Sequence, residues 1–415
     1  MEPPPAPNAL DANAGSLVDV FSPFDDILRG SESQESLQSV EDTVAVDRGR
    51  IGIGEVYVRP PDASPIDVAQ NLKAVVLEYE FQQQPLIDVL RTLSQVSAIP
   101  ISVDVDLVVA RGISLAKPVD GHFQNANYAA ILNELLLPHG LAFRTVDNLV
   151  WVTIADDQTP VAHQFDLSVF RSSDPQLPSQ FADFVARTFE PSSWEPQGGK
   201  GTFAVMGTQV TVSNLPRVVT QIETLYQKLV AAQVLRDDPD NETALRTLAS
   251  RYQRARSARE AGISLQLLDQ QPIESVLSRV ARDFGPQVLI DWQTIVPEGW
   301  TPATEIPWKT NGESLADYLD QLANSMQLYV RSVDAQLLQL TSLAVANQRP
   351  ELEVYSCTKL LQKYSPEMLR DRLDRLFENE IQPTTVFLEP GCQCLVAYVP
   401  QPLQIRLEAA LQSLE

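Results

Sequence analysis

The eight residues QQPLIDVL, from Gln83 to Leu90, return as QQPIESVL, from Gln270 to Leu277. Placing Gln84 on Gln271 sets an offset of 187 residues, and the offset persists. Leu90 falls on Leu277, Asp104 on Asp291, Leu132 on Leu319, Leu135 on Leu322, Leu141 on Leu328 and Arg144 on Arg331. Val146 and Asp147 fall on Val333 and Asp334. Matched core-type positions over so long a span read as an internal duplication, which limits the fold to small units built twice. One departure is visible. The first strand of the second copy, ISLQLLD, alternates one residue out of step with its counterpart LEYEF. A bulge or a slipped register reconciles the two.

Local periodicity gives each unit its elements. In LEYEF, Leu77, Tyr79 and Phe81 alternate with Glu78 and Glu80, the period of a half-buried strand. Pro85 suits a first helical turn, where its missing N–H is not needed. Leu86, Val89, Leu90 and Leu93 then recur on one helical face. IPISVD is a second strand, Tyr128, Ile131, Leu132 and Leu135 mark a second helix, and LAFRTVDNLVWVT makes two strands about Asp147-Asn148. After each copy comes a weaker repeat of the order β-α-β-β-α. It begins with AHQFDLSVF in the first half and LEVYSCTKL in the second.

The fold expectation is therefore α+β: four small sandwich modules in an A-B-A′-B′ tandem duplication after a disordered N-terminal tail. Residues 1–70 are the acidic, Pro/Ser-rich tail, 71–157 module A, 158–232 module B, 233–262 an Arg-rich helical linker, 263–345 module A′ and 349–415 module B′. The tail lacks enough apolar surface to offset its ordering entropy. Its exception is SLVDVFSPFDDIL, where Leu17, Val20, Phe21, Phe24, Ile27 and Leu28 fit one helical face. It reads as a nascent helix or as a peptide that docks on a partner.

A net charge of −23 argues against nucleic acid, because phosphate binding requires a surplus of Lys and Arg. No run is long and apolar enough for a membrane-spanning helix. The start MEPPPAPNALDANAG lacks a basic region and an apolar core, so it does not read as a signal peptide. Taken literally that places the chain in the cytoplasm, although removal of a leader leaves the same kind of start.

The stretches LEYEFQQQPLIDVLRTLSQVSAIPISVD and NYAAILNELLLPHGLAFRTVDNLVWVT resemble the short N-terminal domain shared by secretins and TonB-dependent receptors. The strand, the Pro-Leu-x-x-Val-Leu helix, the Val-Asp strand end and the closing helix and hairpin carry the resemblance. The B segments resemble the ring-building domains that follow it in secretins. Together the likeness covers roughly residues 71–230 and 263–415. It implies a periplasmic or cell-envelope location, no catalytic residues or cofactor, and work through protein–protein contact with envelope proteins or by self-association. Within these residues no long Gly-rich barrel-forming region follows the last module, so the expectation is a scaffold that does not form a pore.

Signatures of chemistry are sparse. QGGKGT fails the phosphate-loop pattern, since Trp194 stands where the first Gly belongs and Gly201 follows Lys200. A glycine turn entering a hairpin is the better reading. Asp104 and Asp106 form a candidate metal pair, but only Asp104 has an acidic counterpart, and a shared Asp suits a strand end that accepts from backbone N–H groups. His122, His139 and His163 lie in unrelated settings. Cys357, Cys392 and Cys394 are expected either as small buried hydrophobes or as a disulfide from Cys357 to one of the pair. Trp292, Trp300 and Trp308 are peculiar to the second copy. They either cap its core or form an aromatic platform for a glycan or partner, which makes cell-wall glycan binding the alternative function. Arg246, Arg251, Arg254, Arg256 and Arg259 make the linker basic. That is a solvated helix or a docking site for an acidic segment.

Overall fold

Pro85 ends one strand and opens the next helix, and the same step recurs at Pro272. In the computed structural model, which describes residues 66–170, 175–260, 262, 271–306, 313–377, 385–389 and 392–414, this step starts both copies. The tail to residue 65, its Phe21/Phe24 segment, the strand ISLQLLD and Trp308 lie outside the described residues. A short helix, α1 (Val68–Asn71), is capped by the Asp67 side chain and buries Val68 completely.

The first copy runs β1 (Val75–Pro85), α2 (Leu86–Ser97), β2 (Ile101–Val103), α3 (Val105–Ala110), β3 (Pro118–Asn127), α4 (Tyr128–Leu136), β4 (Leu141–Val146) and β5 (Leu149–Ile154). Strands β1 and β3 form one antiparallel pair, and β2-β5-β4 form a three-stranded sheet in which β2 runs parallel to β5. The alternation of LEYEF holds only in part: Phe81 is buried, but Leu77 is 78% exposed. A bulge between Phe81 and Gln84, with Gln83 at φ +49°, restores the register before Pro85.

The segment after the linker repeats this order as β9 (Gln271–Pro272), α9 (Ile273–Phe284), β10 (Gln287–Ile290), α10 (Trp292–Ile295), β11 (Glu305–Ile306), α11 (Leu315–Ser325), β12 (Leu328–Asp334) and β13 (Leu337–Ser342). Pro85 faces Pro118 in the first pair and Pro272 faces Glu305 in the second, at the same offset of 187. The offset then slips. Asp147 and Asn148 both take left-handed φ and make a two-residue turn, whereas β12 carries a bulge between Ser332 and Asp334. Beyond that extra residue, Val150 and Val152 correspond to Leu338 and Leu340, and all four are buried.

The weaker repeat is β6 (Val161–Asp166), α5 (Leu177–Thr188), β7 (Thr202–Met206), β8 (Gln209–Asn214) and α6 (Pro216–Asp237). The linker helices are α7 (Glu242–Leu248) and α8 (Arg251–Arg259), and a short α12 (Leu343–Ala346) leads to the last unit. That unit is β14 (Pro350–Ser356), α13 (Thr358–Lys363), α14 (Pro366–Phe377), β15 (Thr385–Glu389), β16 (Cys394–Pro400) and α15 (Gln401–Leu414). Both sheets place the last strand in the middle, β6-β8-β7 and β14-β16-β15.

The units are not beads. Helix α6 lies between two sheets: its Val218, Ile222, Leu225 and Leu229 share one core with Phe165 and Val212 below and with Leu352, Val354, Cys394 and Val396 above. The opposite face of the last sheet packs Leu395, Ala397 and Val399 under α14 and α15. Leu289 and Val333 of the second copy likewise enter the core of the first.

Candidate functional site

Asp106 stands in the first turn of α3, where an acidic side chain meets the positive end of the helix. About a quarter of its side chain reaches solvent, yet three guanidiniums enclose the carboxylate. Arg331 of β12 reaches both oxygens at 2.7 and 2.8 Å, Arg349 reaches one at 2.6 Å, and Arg251, the first residue of α8, reaches the other at 2.6 Å. Burial alone would push Asp106 up, but the three arginines hold it well below the usual carboxylate range.

The ionic chain continues inward. Arg331 pairs with Glu351 of β14 and donates to Gln339 at 2.8 Å. Glu353, two residues on and on the same face of β14, pairs with Lys228 of α6 and accepts from the Arg251 amide at 3.2 Å. Arg349 also lies 3.8 Å from Asp291, whose carboxylate accepts from Ser102 at 3.1 Å and Thr341 at 3.3 Å. Gln401 closes the far side, donating to Glu351 at 3.0 Å and to the Ser332 carbonyl at 2.8 Å. Four bases (Lys228, Arg251, Arg331, Arg349) thus meet four acids (Asp106, Asp291, Glu351, Glu353) drawn from every unit and the linker. Ions withdrawn from water are costly unless paired, and here each charge faces at least one of opposite sign. Burial outweighs Glu353 at Lys228 and pulls its ammonium down.

The residues singled out from the sequence are dispersed. Arg251 answers Asp106, and Arg259 reaches Asp320 at 3.1 Å and the Val330 carbonyl at 3.4 Å. Arg256 pairs with Glu260 at 2.6 Å and Arg246 with Glu242 at 3.6 Å, both on the surface, where Arg254 is exposed. The expected basic patch is therefore largely answered from within the chain. A cleft of about 560 Å³ between α8, α11 and α15 is lined by Tyr252, Arg256, Arg259, Glu260 and Glu408.

Trp292 is completely buried and Trp300 is 3% exposed, so neither indole offers a face to a sugar. The Trp292 N–H donates to Glu274 at 2.9 Å. The three cysteines are buried thiols. Cys357 belongs to the core under α15, whereas Cys392 and Cys394 lie in the core around α6, on the other side of the sheet. A bridge from Cys357, the alternative to buried thiols, would have to reach from one face of the sheet to the other.

Asp104 accepts from the Leu107 amide at 3.4 Å and caps α3, the local role its position suggests. Its counterpart Asp291 accepts instead from hydroxyls, one of them in the other copy. His122 lies 3.9 Å from Glu80 and His163 lies 2.7 Å from Glu223, both near the surface, and the three histidines share no site. In QGGKGT the glycine amides donate to the backbone carbonyls of Ser193, Trp194 and Glu195. A Cβ on Gly199 would stand 2.1 Å from the Ser193 backbone, and Gly198 takes φ +88°. Among the described residues no group of three acidic, His or Cys side chains is placed to hold a metal, and no helix is long and apolar enough to cross a membrane.

Sequence reasoning missed the ionic cluster because Asp106 lacks an acidic counterpart. That was itself the signal. Ile87 stands opposite Glu274, Asp88 opposite Ser275, Arg91 opposite Ser278, Ser102 opposite Leu289 and Asp106 opposite Gln293. These mismatched positions are where the two copies, or the copies and the linker, touch.

No family model and no curated protein matches the chain. Among solved structures it is similar to a chain of the InvG N0N1:SpaPQR:PrgHK base of the Salmonella SPI-1 injectisome, at 14% identity and a TM-score of 0.17, over 38% of this chain and 96% of that one. It is also similar to the V. cholerae type IV competence pilus secretin PilQ, at 12% identity and a TM-score of 0.15, over 36% of this chain and 37% of the secretin.

Proposed function

We propose that the chain is a non-enzymatic scaffold of the bacterial cell envelope, built like the periplasmic domains of a secretin and working by protein–protein contact without forming a pore. In this reading the two larger units correspond to the short secretin/TonB N-terminal domain and the two smaller ones to ring-building domains. The observation that carries it is the use made of the buried ionisable groups. Asp106, Asp291, Glu351 and Glu353 are paired with Lys228, Arg251, Arg331 and Arg349 across unit boundaries, an arrangement that suits a fixed body. Strand β7 supports the same reading. It is a sheet edge that exposes Val205 and Met206 and carries no charged residue, the kind of edge on which another chain can pair.

The test is recovery of partners by the immobilised full chain from solubilised envelope, set against a cytosolic fraction. The acidic surface predicts that the same envelope proteins are held at low salt and released at high salt. Sedimentation of the chain alone then distinguishes self-association from a foreign partner. Recovery from cytosol and not from envelope would sink the assignment, and so would a substrate turned over by the purified chain.

A further inference from the structure

The two copies meet along α2 and α9, and their meeting places three ionisable side chains against one another, two of them almost wholly out of water. Arg91 of α2 donates to Asp88, one turn earlier, at 2.6 Å and to the Val288 carbonyl of β10 at 2.9 Å. Its Nε lies 3.3 Å from Glu274, in the first turn of α9. Glu274 accepts in turn from the Trp292 indole. Beside this cluster, the Gln95 side chain donates to Ser275 at 2.8 Å, so the helices are tied together at two points.

The charges do not balance. Asp88 and Glu274 share one guanidinium, so with both ionised the cluster holds one uncompensated negative charge. A single proton removes it. Asp88 keeps 27% of its side chain in solvent and also feels Arg282, whereas Glu274 keeps 5% and faces only Arg91 and a neutral indole. The proton therefore belongs on Glu274.

We propose that this seam is a proton-operated latch: Glu274, which shares the Arg91 guanidinium with Asp88, takes up one proton as the pH falls, which tightens the contact between the two copies, and releases it as the pH rises, which loosens them. Burial pushes the Glu274 carboxyl up to about 7 against the pull of Arg91 and Trp292. Burial raises Asp88 as well, opposed by Arg91 and Arg282. A folded-state value above the unfolded one means stability that is complete below the ordinary glutamate range and lost as pH rises through the folded value. The seam is therefore firmer at pH ~5 than above pH ~8, where it is weakest.

Hydrogen exchange on the full chain reads this directly. Protection factors for amides of α2 and α9, normalised to those of α5, which lies outside the seam, are expected to fall on the order of 100-fold between about pH 5 and about pH 8. Glu274→Gln keeps an acceptor for Trp292 and should flatten the profile. Asp88→Asn leaves one carboxylate for one guanidinium and should move the midpoint down. A carbon-13 titration of the wild-type Glu274 carboxyl supplies a reading that no variant can spoil by misfolding, and its midpoint is expected near neutrality. A midpoint in the ordinary glutamate range overturns the latch. So does a flat wild-type profile, an unchanged profile in Glu274→Gln, or an unmoved midpoint in Asp88→Asn.

Discussion

Asp106 and Glu274 are opposite solutions to burying a carboxylate, and they give opposite responses to acid. Three arginines surround the first and a single shared one faces the second. Asp106 has a depressed folded value, so its stabilisation is present above the ordinary aspartate range and is lost as pH falls through that lower value. Asp106→Asn leaves three cations with one acid fewer and should cost about 3 kcal/mol, measured by denaturant unfolding at neutral pH. It should also flatten the acid limb of the stability profile, while Glu274→Gln flattens the limb near neutrality. Equal curves for Asp106→Asn and wild type would show that the cluster contributes nothing net. Residue by residue, the sequence spoke clearly only where chemistry is local. Asp104 could be read as a strand-end cap because its partner, the Leu107 amide, is three residues away. The partner of Arg251 is more than a hundred residues away along the chain at Asp106, so in the sequence this arginine read as part of a solvated helix or of a docking site for an acidic segment.

At the scale of elements, periodicity carried well wherever one face meets one core. Leu86, Val89, Leu90, Leu132 and Leu135 are buried, as are Ile273, Val276, Leu277, Leu319 and Leu322 at the matching positions. Leu90→Ala and Leu277→Ala should each cost about 2–5 kcal/mol, since each empties a site that packed neighbours cannot refill. Thermal melts of both variants check this, and a loss under about 1 kcal/mol at either site would show that its copy repacks freely. Periodicity failed where an element serves two faces or none. Helix α6 buries Val218, Val219, Ile222, Leu225, Leu229 and Leu235 because sheets press it from both sides, and no strand pattern announces a second sheet arriving from 130 residues later. Leu77 fits a half-buried strand and is exposed, while its neighbour Val76 packs against the core, so the alternation changes phase there, opposite Asn125 with its left-handed φ. The bulge in β12 was also illegible, since one inserted residue leaves the apolar alternation intact and only moves it.

For the whole molecule, duplication suggests two halves that can be separated, and the packing argues that they cannot. Leu352, Val354, Cys394 and Val396 of the last sheet are covered by α6, which belongs to the first half, while the arginines that satisfy Asp106 come from the linker and the second half. Cutting between α7 and α8 would bare an apolar sheet face on one piece. It would also leave Asp106 without Arg251, Arg331 and Arg349 on the other. Exposed apolar area and unpaired buried charge each favour aggregation or unfolding over a smaller native state. Residues 66–249 and residues 250–415, each expressed alone, are therefore expected to be insoluble or to melt without a cooperative transition. Expressed together, they should co-purify as one complex whose unfolding resembles that of the intact chain. Salt should weaken that complex little, because its ionic cluster is withdrawn from solvent, in contrast to contacts made through the acidic surface. Two halves that fold independently and ignore each other in solution would return the molecule to a string of modules, and would remove the shared core and the ionic cluster as the reason for its architecture.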